Sequence, residues 1–271
     1  IPNAEPEHME SYNHDLNEFY GAYRQFIHTA KKRIFNLSDP FLQSLKTIQA
    51  ITLNPQSDIT NIRFEIHNDE PQTSFDFKDY GIFKVWGFGE HMAQNASLAI
   101  LCAIDELGID ALEEIRTNLA HFKGIKKRFD IIAKGTTTII DDYAHHPTEI
   151  LATLKSVAIY NQLKPHQKVI AIWQPHKYSR VLDNLQAFVD CFANLCDELV
   201  ILPVWKAGES HVDIDFASLF MRYNPIFATH LKREGDCITL FDGKDSIKTL
   251  QNAIIIGLGA GDITYQLRGE K

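Results

Sequence analysis

Four polar segments in the second half of the chain carry the residue types that bind and activate anionic substrates. Each segment follows an apolar run with the pattern of a buried strand. The segments are residues 141–149 (DDYAHHPTE), 174–180 (QPHKYSR), 205–209 (WKAGE) and 259–262 (GAGD). Because ligands of an open α/β sheet bind beyond the carboxyl ends of its strands, these segments predict a binding site at one edge of a sheet.

Two cations in the second of these segments indicate a negatively charged ligand. Lys177 and Arg180 are three residues apart, so a helix that begins there would place both on one face. Repulsion between two neighbouring cations is relieved when a carboxylate or a phosphate binds to both. The alternative is a pair of solvated surface side chains.

The first segment offers carboxylates and imidazoles, each with a structural alternative. Asp141 or Asp142 could cap the helix that we expect near Pro147. His145 and His146 are adjacent in the sequence, so they are poorly placed to hold one zinc ion together. We therefore interpret the histidines as contacts to substrate or phosphate rather than as a metal pair.

The glycines after the last apolar run have another explanation. Gly257, Gly259 and Gly261 form a GxGxG pattern that is similar to the phosphate loop of dinucleotide-binding folds. No second strand and helix with an acidic residue about 20 positions further on follows them. We interpret these glycines as a tight turn from a strand into a helix, and we do not expect NAD binding.

Single residues in the first half of the chain give weaker signals. Asn95, which ends the segment GEHMAQN, could read the edge of a base or cap the following helix. Arg128, in a Lys-Lys-Arg-Phe run, could contact phosphate or ribose, or could belong to a solvated basic turn. His8 beside Glu7 has the pattern of a surface pair.

The apolar periodicity predicts the elements that must position these residues. Before Gly124 we expect helices over residues 15–31, 96–107 and 110–121 and from Pro40, with strands over 33–36, 51–53, 62–66, 74–77 and 82–86. After Gly124 we expect strands over residues 136–140, 168–173, 199–204, 238–241 and 253–258, alternating with helices over 148–160, 182–195, 216–220 and 262–267. This alternation is typical of an α/β fold with a mostly parallel sheet that is covered on both faces. A domain boundary at Gly124 would divide the chain into residues 1–124 and 125–271.

The composition excludes several classes of protein. There are 27 basic and 35 acidic side chains, a net charge of −8, and no block of Lys and Arg, which argues against general binding of nucleic acid or anionic membranes. The four cysteines form no CxxC pair, and we expect reduced thiols in a cytoplasmic protein. No apolar run approaches the roughly 20 residues of a membrane-spanning helix, and the start lacks a signal-peptide pattern. Because the first residue is Ile1 and not Met, we expect a fragment of a longer protein.

Six segments occur in the order found in the Mur ligases, and the chain resembles this family along nearly its whole length. They are EPEHMESY (5–12), GEHMAQN (89–95), KRF (127–129), DDYAHHPTE (141–149), QPHKYSR (174–180) and AGE (207–209). The resemblance implies the later part of the family's central ATP-binding domain in residues 1–124 and its Rossmann-like C-terminal domain in residues 125–271. The sequence has no GxxxxGK followed by Ser or Thr, so we do not expect these residues to catalyse by themselves.

The resemblance implies a reaction that joins L-alanine to UDP-N-acetylmuramate with consumption of ATP. ATP converts the muramoyl carboxylate to an acyl phosphate, the alanine amine then displaces phosphate, and Mg²⁺ neutralises the crowded oxygens. By motif, His8 would bind Mg²⁺, and Asn95, Arg128 and Asp142 would contact ATP. The muramoyl and alanine end would face Tyr143, His145, His146, His176, Lys177 and Arg180. The forked guanidinium of Arg180 suits the amino-acid carboxylate.

The sequence departs from the family pattern at Lys177 and Met92, where Arg and Asn are usual. Three alternatives remain open. A murein peptide ligase of the same family shares the DDYAHHPTE segment. A metal-dependent hydrolase would use His145, His146, His176 and Asp142. A nucleotide-binding or interaction module without catalysis is the third.

Overall fold

The computed structural model describes residues 1–270. The chain divides into two units, Ile1–Lys123 and Gly124–Lys271. Among the helices of the described residues, none is both long enough and apolar enough to cross a membrane.

The first unit contains five α-helices and five strands within its described residues. The helices are α1 (Leu16–Thr29), α2 (Pro40–Ser44), α3 (Pro55–Asp58), α4 (Glu90–Leu107) and α5 (Leu112–His121). The strands are β1 (Ile34–Asn36), β2 (Ile51–Leu53), β3 (Ile59–His67), β4 (Glu70–Phe77) and β5 (Ile82–Trp86). β1 and β2 pair in parallel, and β3, β4 and β5 form an antiparallel sheet.

Alternating side chains of the antiparallel sheet pack against α4. In β5, Phe83 and Val85 are buried while Ile82 and Lys84 are exposed, which is the pattern of a strand with one solvated face. The buried phenylalanine rings of this sheet form one apolar core with Val85 and with Ala93, Leu101 and other residues of α4. This packing fixes α4, the longest helix of the unit.

The start of α4 differs from the sequence prediction. We expected the helix over residues 96–107, but it begins at Glu90, after Gly89 with a φ of 113°. Asn95 therefore lies within the helix and cannot cap it. The capping alternative for Asn95 is wrong, because the polar residues 90–95 already have helical backbone.

The second unit contains nine strands and five helices within its described residues. The strands are β6 (Asp130–Ala133), β7 (Thr138–Asp142), β8 (Lys168–Trp173), β9 (Glu198–Ile201), β10 (Ile226–Phe227), β11 (His230–Glu234), β12 (Cys237–Asp242), β13 (Asp245–Leu250) and β14 (Ala253–Leu258). The helices are α6 (Pro147–Gln162), α7 (Tyr178–Asp183), α8 (Leu185–Cys191), α9 (Phe216–Leu219) and α10 (Ile263–Arg268).

Six of these strands form the main sheet, in the order β10-β9-β8-β14-β7-β6. All neighbouring pairs are parallel except β6 with β7. β8 and β14 are apolar along almost their whole length because both faces of these central strands are covered. One of the two faces packs against α10 and the strands β11, β12 and β13. The predicted α/β fold with a mostly parallel sheet is confirmed.

Two details of the second unit differ from the sequence prediction. The strand expected at residues 238–241 belongs to a separate antiparallel sheet, β11-β12-β13, and not to the parallel alternation. The helix expected at residues 182–195 is two helices, α7 and α8, which meet at Asn184. The side-chain amide of Asn184 donates to the carbonyl oxygen of Arg180 at 3.0 Å, which helps to end α7 there.

Candidate active site

The strand order of the main sheet brings four polar loops to one edge. β7, β14, β8 and β9 are consecutive neighbours and run in parallel, so their carboxyl ends lie side by side. The loops that follow them are residues 143–146, 259–262, 174–177 and 202–215. The convergence expected from the sequence is therefore present, because β14 is inserted between β7 and β8.

A continuous row of rings and one guanidinium crosses this edge. The ring centroids of Tyr143 and His145 are 5.2 Å apart, and those of His145 and His176 are 5.6 Å apart. Nη1 of Arg180 donates to Nδ1 of His176 at 2.8 Å and lies 3.3 Å from its carbonyl oxygen. These four side chains from two loops and α7 can therefore act on one ligand.

The surroundings of His176 keep its ring neutral. Burial lowers the pKa of His176, and the positive charge of Arg180 adds to this, so the pKa falls to about 4. Because Arg180 donates to Nδ1, the proton of the neutral ring is on Nε2. His176 thus carries an N–H donor and not a cation.

His176 is expected to titrate near pH 4 instead of the ordinary 6.5. The unfolded chain protonates this ring at a higher pH than the folded chain does, so its contribution to the free energy of unfolding falls as the pH drops from about 6.5 to about 4. NMR titration of the ring Cε1–H, assigned with a His176→Gln variant, measures the midpoint. The same variant should lose less stability over this pH interval than the unmodified chain. A titration midpoint above about pH 6 would contradict this account of the site.

The two cations of the QPHKYSR segment lie in different surroundings. Arg180 is in α7 and only 7% exposed. Lys177 is half-buried and precedes the helix with a left-handed φ of 65°. The shared helical face expected from their spacing therefore does not form. The alternative of a solvated pair is also wrong for Arg180, since a buried guanidinium requires internal partners.

Asp142 lies beneath the edge and ties several segments to it. Its carboxylate accepts the N–H groups of Ala144 and Phe129, both at 2.8 Å, and the hydroxyl of Thr153 at 3.1 Å. Burial raises the pKa of Asp142 to about 6, against the effect of these hydrogen bonds. An ATP contact of Asp142 would compete with three internal partners, and it stays a prediction.

Neither aspartate caps the helix that follows β7. His146 is the N-cap residue of α6, and the carboxylate of Glu149 accepts its N–H at 3.3 Å. Asp141 lies on the other side of β7, where its Oδ2 accepts hydrogen bonds from Arg268 at 2.9 Å and from a threonine of α10. The capping alternative for the aspartates is therefore wrong.

The basic run before β6 lies against the loop after β7. Nη1 of Arg128 is 3.1 Å from Oε1 of Glu149, and its guanidinium lies over the ring of Tyr143, 5.6 Å from the centroid. The N–H of Tyr143 donates to the carbonyl oxygen of Lys127 at 2.8 Å. Arg128 is thus held beside Tyr143, and Glu149 balances part of its charge.

Sequence reasoning gave no role to two polar side chains at this edge, Gln174 and Glu209. Gln174 joins two loops, since its Nε2 donates to Oδ1 of Asp262 at 2.7 Å and its Oε1 accepts the N–H of Ile263 at 3.0 Å. Glu209 accepts two backbone N–H groups at the start of α7. Their place in the polar segments was the signal in the sequence that could have indicated a role. Their hydrogen-bond partners could not be predicted, because these depend on the order of the strands in the sheet.

The glycines after β14 allow a close approach between loops. A Cβ on Gly261 would lie 2.3 Å from Oε1 of Gln174 and 2.7 Å from Cγ of Trp205. Gly259 has a φ of 154°, and a Cβ there would lie 2.8 Å from the carbonyl oxygen of Gln174. Both glycines belong to the turn from β14 into α10, which confirms the structural explanation of the GxGxG pattern.

The two candidates of the first unit lie at its surface. His8 is exposed, with Nε2 3.8 Å from Glu7 and Nδ1 3.4 Å from Glu10, and Asn95 is exposed on α4. Within residues 1–270, no three His, Cys, Asp or Glu side chains are grouped so that they could hold a metal ion. These residues do not make a Mg²⁺ site by themselves, and Mg²⁺ binding by His8 stays a prediction.

The absence of a metal-holding group among residues 1–270 also bears on the alternative of a metal-dependent hydrolase. Zinc hydrolases hold their metal with three protein ligands. His145, His146, His176 and Asp142 do not form such a group in the described part of the chain. The carboxylate of Asp142 is instead directed to backbone N–H groups, so the geometry does not favour a zinc hydrolase.

Comparison with known proteins finds a family model that matches part of the second unit, and named relatives that match the chain along its length. Residues 127–222 match the family model described as Mur ligase, glutamate ligase domain. The chain is 54% identical to the UDP-N-acetylmuramate–L-alanine ligase of Helicobacter pylori (strain ATCC 700392 / 26695), over 100% of this chain and 59% of the relative. It is 49% identical to the ligase of the same name from Campylobacter curvus (strain 525.92), over 99% of this chain and 61% of the relative. The chain thus spans about three fifths of the length of the curated relatives that it matches.

Solved structures share the fold. The UDP-N-acetylmuramate–alanine ligase MurC of Thermotoga maritima superposes with a TM-score of 0.67 at 22% identity, covering 98% of this chain and 56% of its own. The MurF ligase of Thermotoga maritima in complex with ADP superposes with a TM-score of 0.63 at 14% identity, covering 99% of this chain and 60% of its own.

Proposed function

We propose that the chain is part of a Mur ligase, that it forms the part that binds ATP and the amino acid, and that the ligase joins L-alanine to UDP-N-acetylmuramate. The observation that carries the proposal is the row of Tyr143, His145, His176 and Arg180 at the edge of the main sheet. The two relatives at 54% and 49% identity carry the name of this activity. The reaction would belong to the synthesis of peptidoglycan precursors in the cytoplasm.

The proposed reaction has two steps. The muramoyl carboxylate attacks the γ-phosphorus of ATP, the bond to the β-phosphate oxygen breaks, and ADP leaves an acyl phosphate behind. The neutral amine of L-alanine then attacks the acyl carbon, the bond from this carbon to the phosphate oxygen breaks, and phosphate leaves as the amine loses one proton. Negative charge develops on oxygen in both steps, so cations and N–H donors at the site lower the barriers.

The side chains of the row suit this chemistry. Arg180 would bind the carboxylate of L-alanine with its fork, and Nε2–H of His176 would donate to a developing negative oxygen. Nδ1 of His145 faces two acceptors, the carbonyl oxygen of Tyr143 at 2.9 Å and Oε2 of Glu149 at 3.3 Å, so it carries the proton of the neutral ring. Its Nε2 is then the atom that would take the amine proton.

The remaining candidates complete the proposal. Tyr143, His146 and Lys177 would contact the muramoyl or alanine end, and Asn95, Arg128 and Asp142 would contact ATP. The MurF relative was solved in complex with ADP, which supports a nucleotide ligand for this fold. Mg²⁺, with His8 as one ligand, would neutralise phosphate oxygens.

The test is an assay of a polypeptide of the relatives' length that carries these 271 residues, which we refer to as the ligase polypeptide. We expect phosphate release only when ATP, UDP-N-acetylmuramate and L-alanine are all present, with a product whose mass is that of the joined substrates. The 271-residue chain alone lacks a GxxxxGK motif, so we expect it to bind ATP weakly in a calorimetric titration. Phosphate release that does not require L-alanine, or stoichiometric zinc in the purified protein, would contradict the proposal.

A further inference from the structure

The helix that carries Arg180 is capped by a residue from another loop. The N-cap residue of α7, Lys177, makes no side-chain hydrogen bond to the helix start. Oε2 of Glu209 takes this place and accepts the N–H groups of Tyr178 at 2.5 Å and Ser179 at 3.2 Å, while Oε1 accepts the hydroxyl of Ser179 at 2.5 Å. One carboxylate thus satisfies the first two free N–H groups of the helix.

The loop that carries Glu209 also grips the segment before the helix. His176 and Trp205 form a parallel β-bridge. The N–H of Lys177 donates to the carbonyl oxygen of Trp205 at 2.9 Å, and the N–H of Trp205 donates to the carbonyl oxygen of Pro175 at 2.8 Å. Beyond Glu209, Nδ1 of His211 lies 2.8 Å from the hydroxyl oxygen of Tyr178. The loop therefore holds the segment from Pro175 to Ser179, which connects His176 to Arg180.

The charge of Glu209 suits this position. Burial raises its pKa, but the hydrogen bonds from Ser179 and Tyr178 outweigh burial, so the pKa of Glu209 lies below its ordinary value. The group is therefore an anion at neutral pH, placed at the positive end of a helix and close to Lys177. It stabilises the start of α7.

We propose that Glu209 is a positioning residue for amino-acid binding: by capping α7 from the loop after β9, it fixes the turn that presents Arg180 and His176 to the ligand carboxylate. This inference rests on the proposed function. A bidentate contact between a guanidinium and a carboxylate is sensitive to shifts of a few tenths of an ångström, so loosening the first turn of α7 weakens binding of the amino acid more than it slows the chemical step.

The test compares Glu209→Gln and Glu209→Ala in the ligase polypeptide. Glu209→Ala is expected to raise the KM for L-alanine about tenfold with kcat changed less than about threefold, because charge-assisted hydrogen bonds to the helix start are lost. Glu209→Gln keeps an acceptor for the two N–H groups and is expected to raise this KM only about threefold. The KM for ATP should stay within about twofold in both variants.

Asp215 provides a matched control at the end of the same loop. It caps α9 in the same way, accepting the N–H of Ser218 at 3.0 Å and its hydroxyl at 2.6 Å, and α9 carries none of the proposed site residues. Asp215→Ala should lower the melting temperature about as much as Glu209→Ala does and leave the KM for L-alanine unchanged. Equal changes of this KM in the two variants, or none in Glu209→Ala, would overturn the proposal.

A second measurement does not depend on turnover. In the 271-residue chain, Glu209→Ala should increase the hydrogen-exchange rates of the Tyr178 and Ser179 amides several-fold, with the amides of β8 unchanged. Unchanged exchange at both amides would overturn the capping role. An unmodified ligase polypeptide that does not turn over L-alanine would contradict the proposed function and, with it, the amino-acid part of this inference. Normal turnover with a normal KM in Glu209→Ala would contradict this inference alone.

Discussion

Replacing Arg180 with alanine is expected to lower kcat/KM for L-alanine about 100-fold in the ligase polypeptide, because the charged partner that we propose for the amino-acid carboxylate is lost. Arg180 is 7% exposed and donates to Nδ1 of His176, so its guanidinium is already fixed in place before a ligand binds. The effect should appear mainly in the KM for L-alanine, and the KM for ATP should change little. Initial rates of phosphate release at varied L-alanine give both constants.

Two further variants separate recognition from simple loss of stability. Arg180→Lys keeps the positive charge but loses the fork, so we expect a loss of about tenfold, smaller than that of the alanine variant. Arg222 is a control from the same unit, since its guanidinium contacts Asp190 and the carbonyl oxygen of Val189 and none of the proposed site residues. Arg222→Ala should leave kcat/KM within about twofold. Normal turnover of L-alanine by Arg180→Ala would remove Arg180 from the site.

A second large effect is expected for Gly259→Ala, which should lower the free energy of unfolding of the chain by about 2–4 kcal/mol. The backbone of Gly259 has a φ of 154°, which L-residues rarely adopt, and the new Cβ would lie 2.8 Å from the carbonyl oxygen of Gln174. A backbone carbonyl cannot rotate away as a flexible side chain would, so the turn after β14 must shift. Urea unfolding followed by circular dichroism measures the loss.

A substitution at Gly243 measures the cost of backbone strain without a close contact of the new Cβ. It also has a positive φ, 58°, in the turn between β12 and β13, and a Cβ there would meet no atom within 4 Å. Gly243→Ala should therefore lower the free energy of unfolding by only about 1 kcal/mol. Equal losses in the two variants would contradict the close approach of the loops after β8 and β14.

The central strands of the main sheet were predictable to the residue. β8 and β14 match the ranges expected from the sequence, since each is a continuous apolar run that ends in a polar or glycine-rich segment. β13 was not predicted, because four of its six residues are exposed and its sequence, DSIKTL, has no clear alternation. The break at Asn184 was also missed, since the apolar spacing continues across it and only the hydrogen bond to Arg180 marks the end of α7.

The residue types of the candidate site were predictable, but most of its contacts were not. Parallel strands that end in polar loops indicated where Tyr143, His176 and Arg180 would meet. The cap of α7 by Glu209 joins residues about thirty positions apart, and it depends on the neighbouring places of β8 and β9 in the sheet. The burial of both Asp141 and Asp142 also follows from tertiary packing, because two consecutive aspartates in a sequence give no sign that they lie inside.

The insertion of β14 between β7 and β8 has a consequence for biosynthesis. The ribosome releases β7 and β8 more than eighty residues before the strand that separates them, so a nascent chain cannot pair these strands correctly until residue 258 has emerged. Premature termination anywhere before that point would leave two unjoined halves with exposed apolar edges, a natural target for cellular proteases. Only a polypeptide that extends through residue 258 can therefore bring the loops after β7 and β8 together at one edge of the sheet.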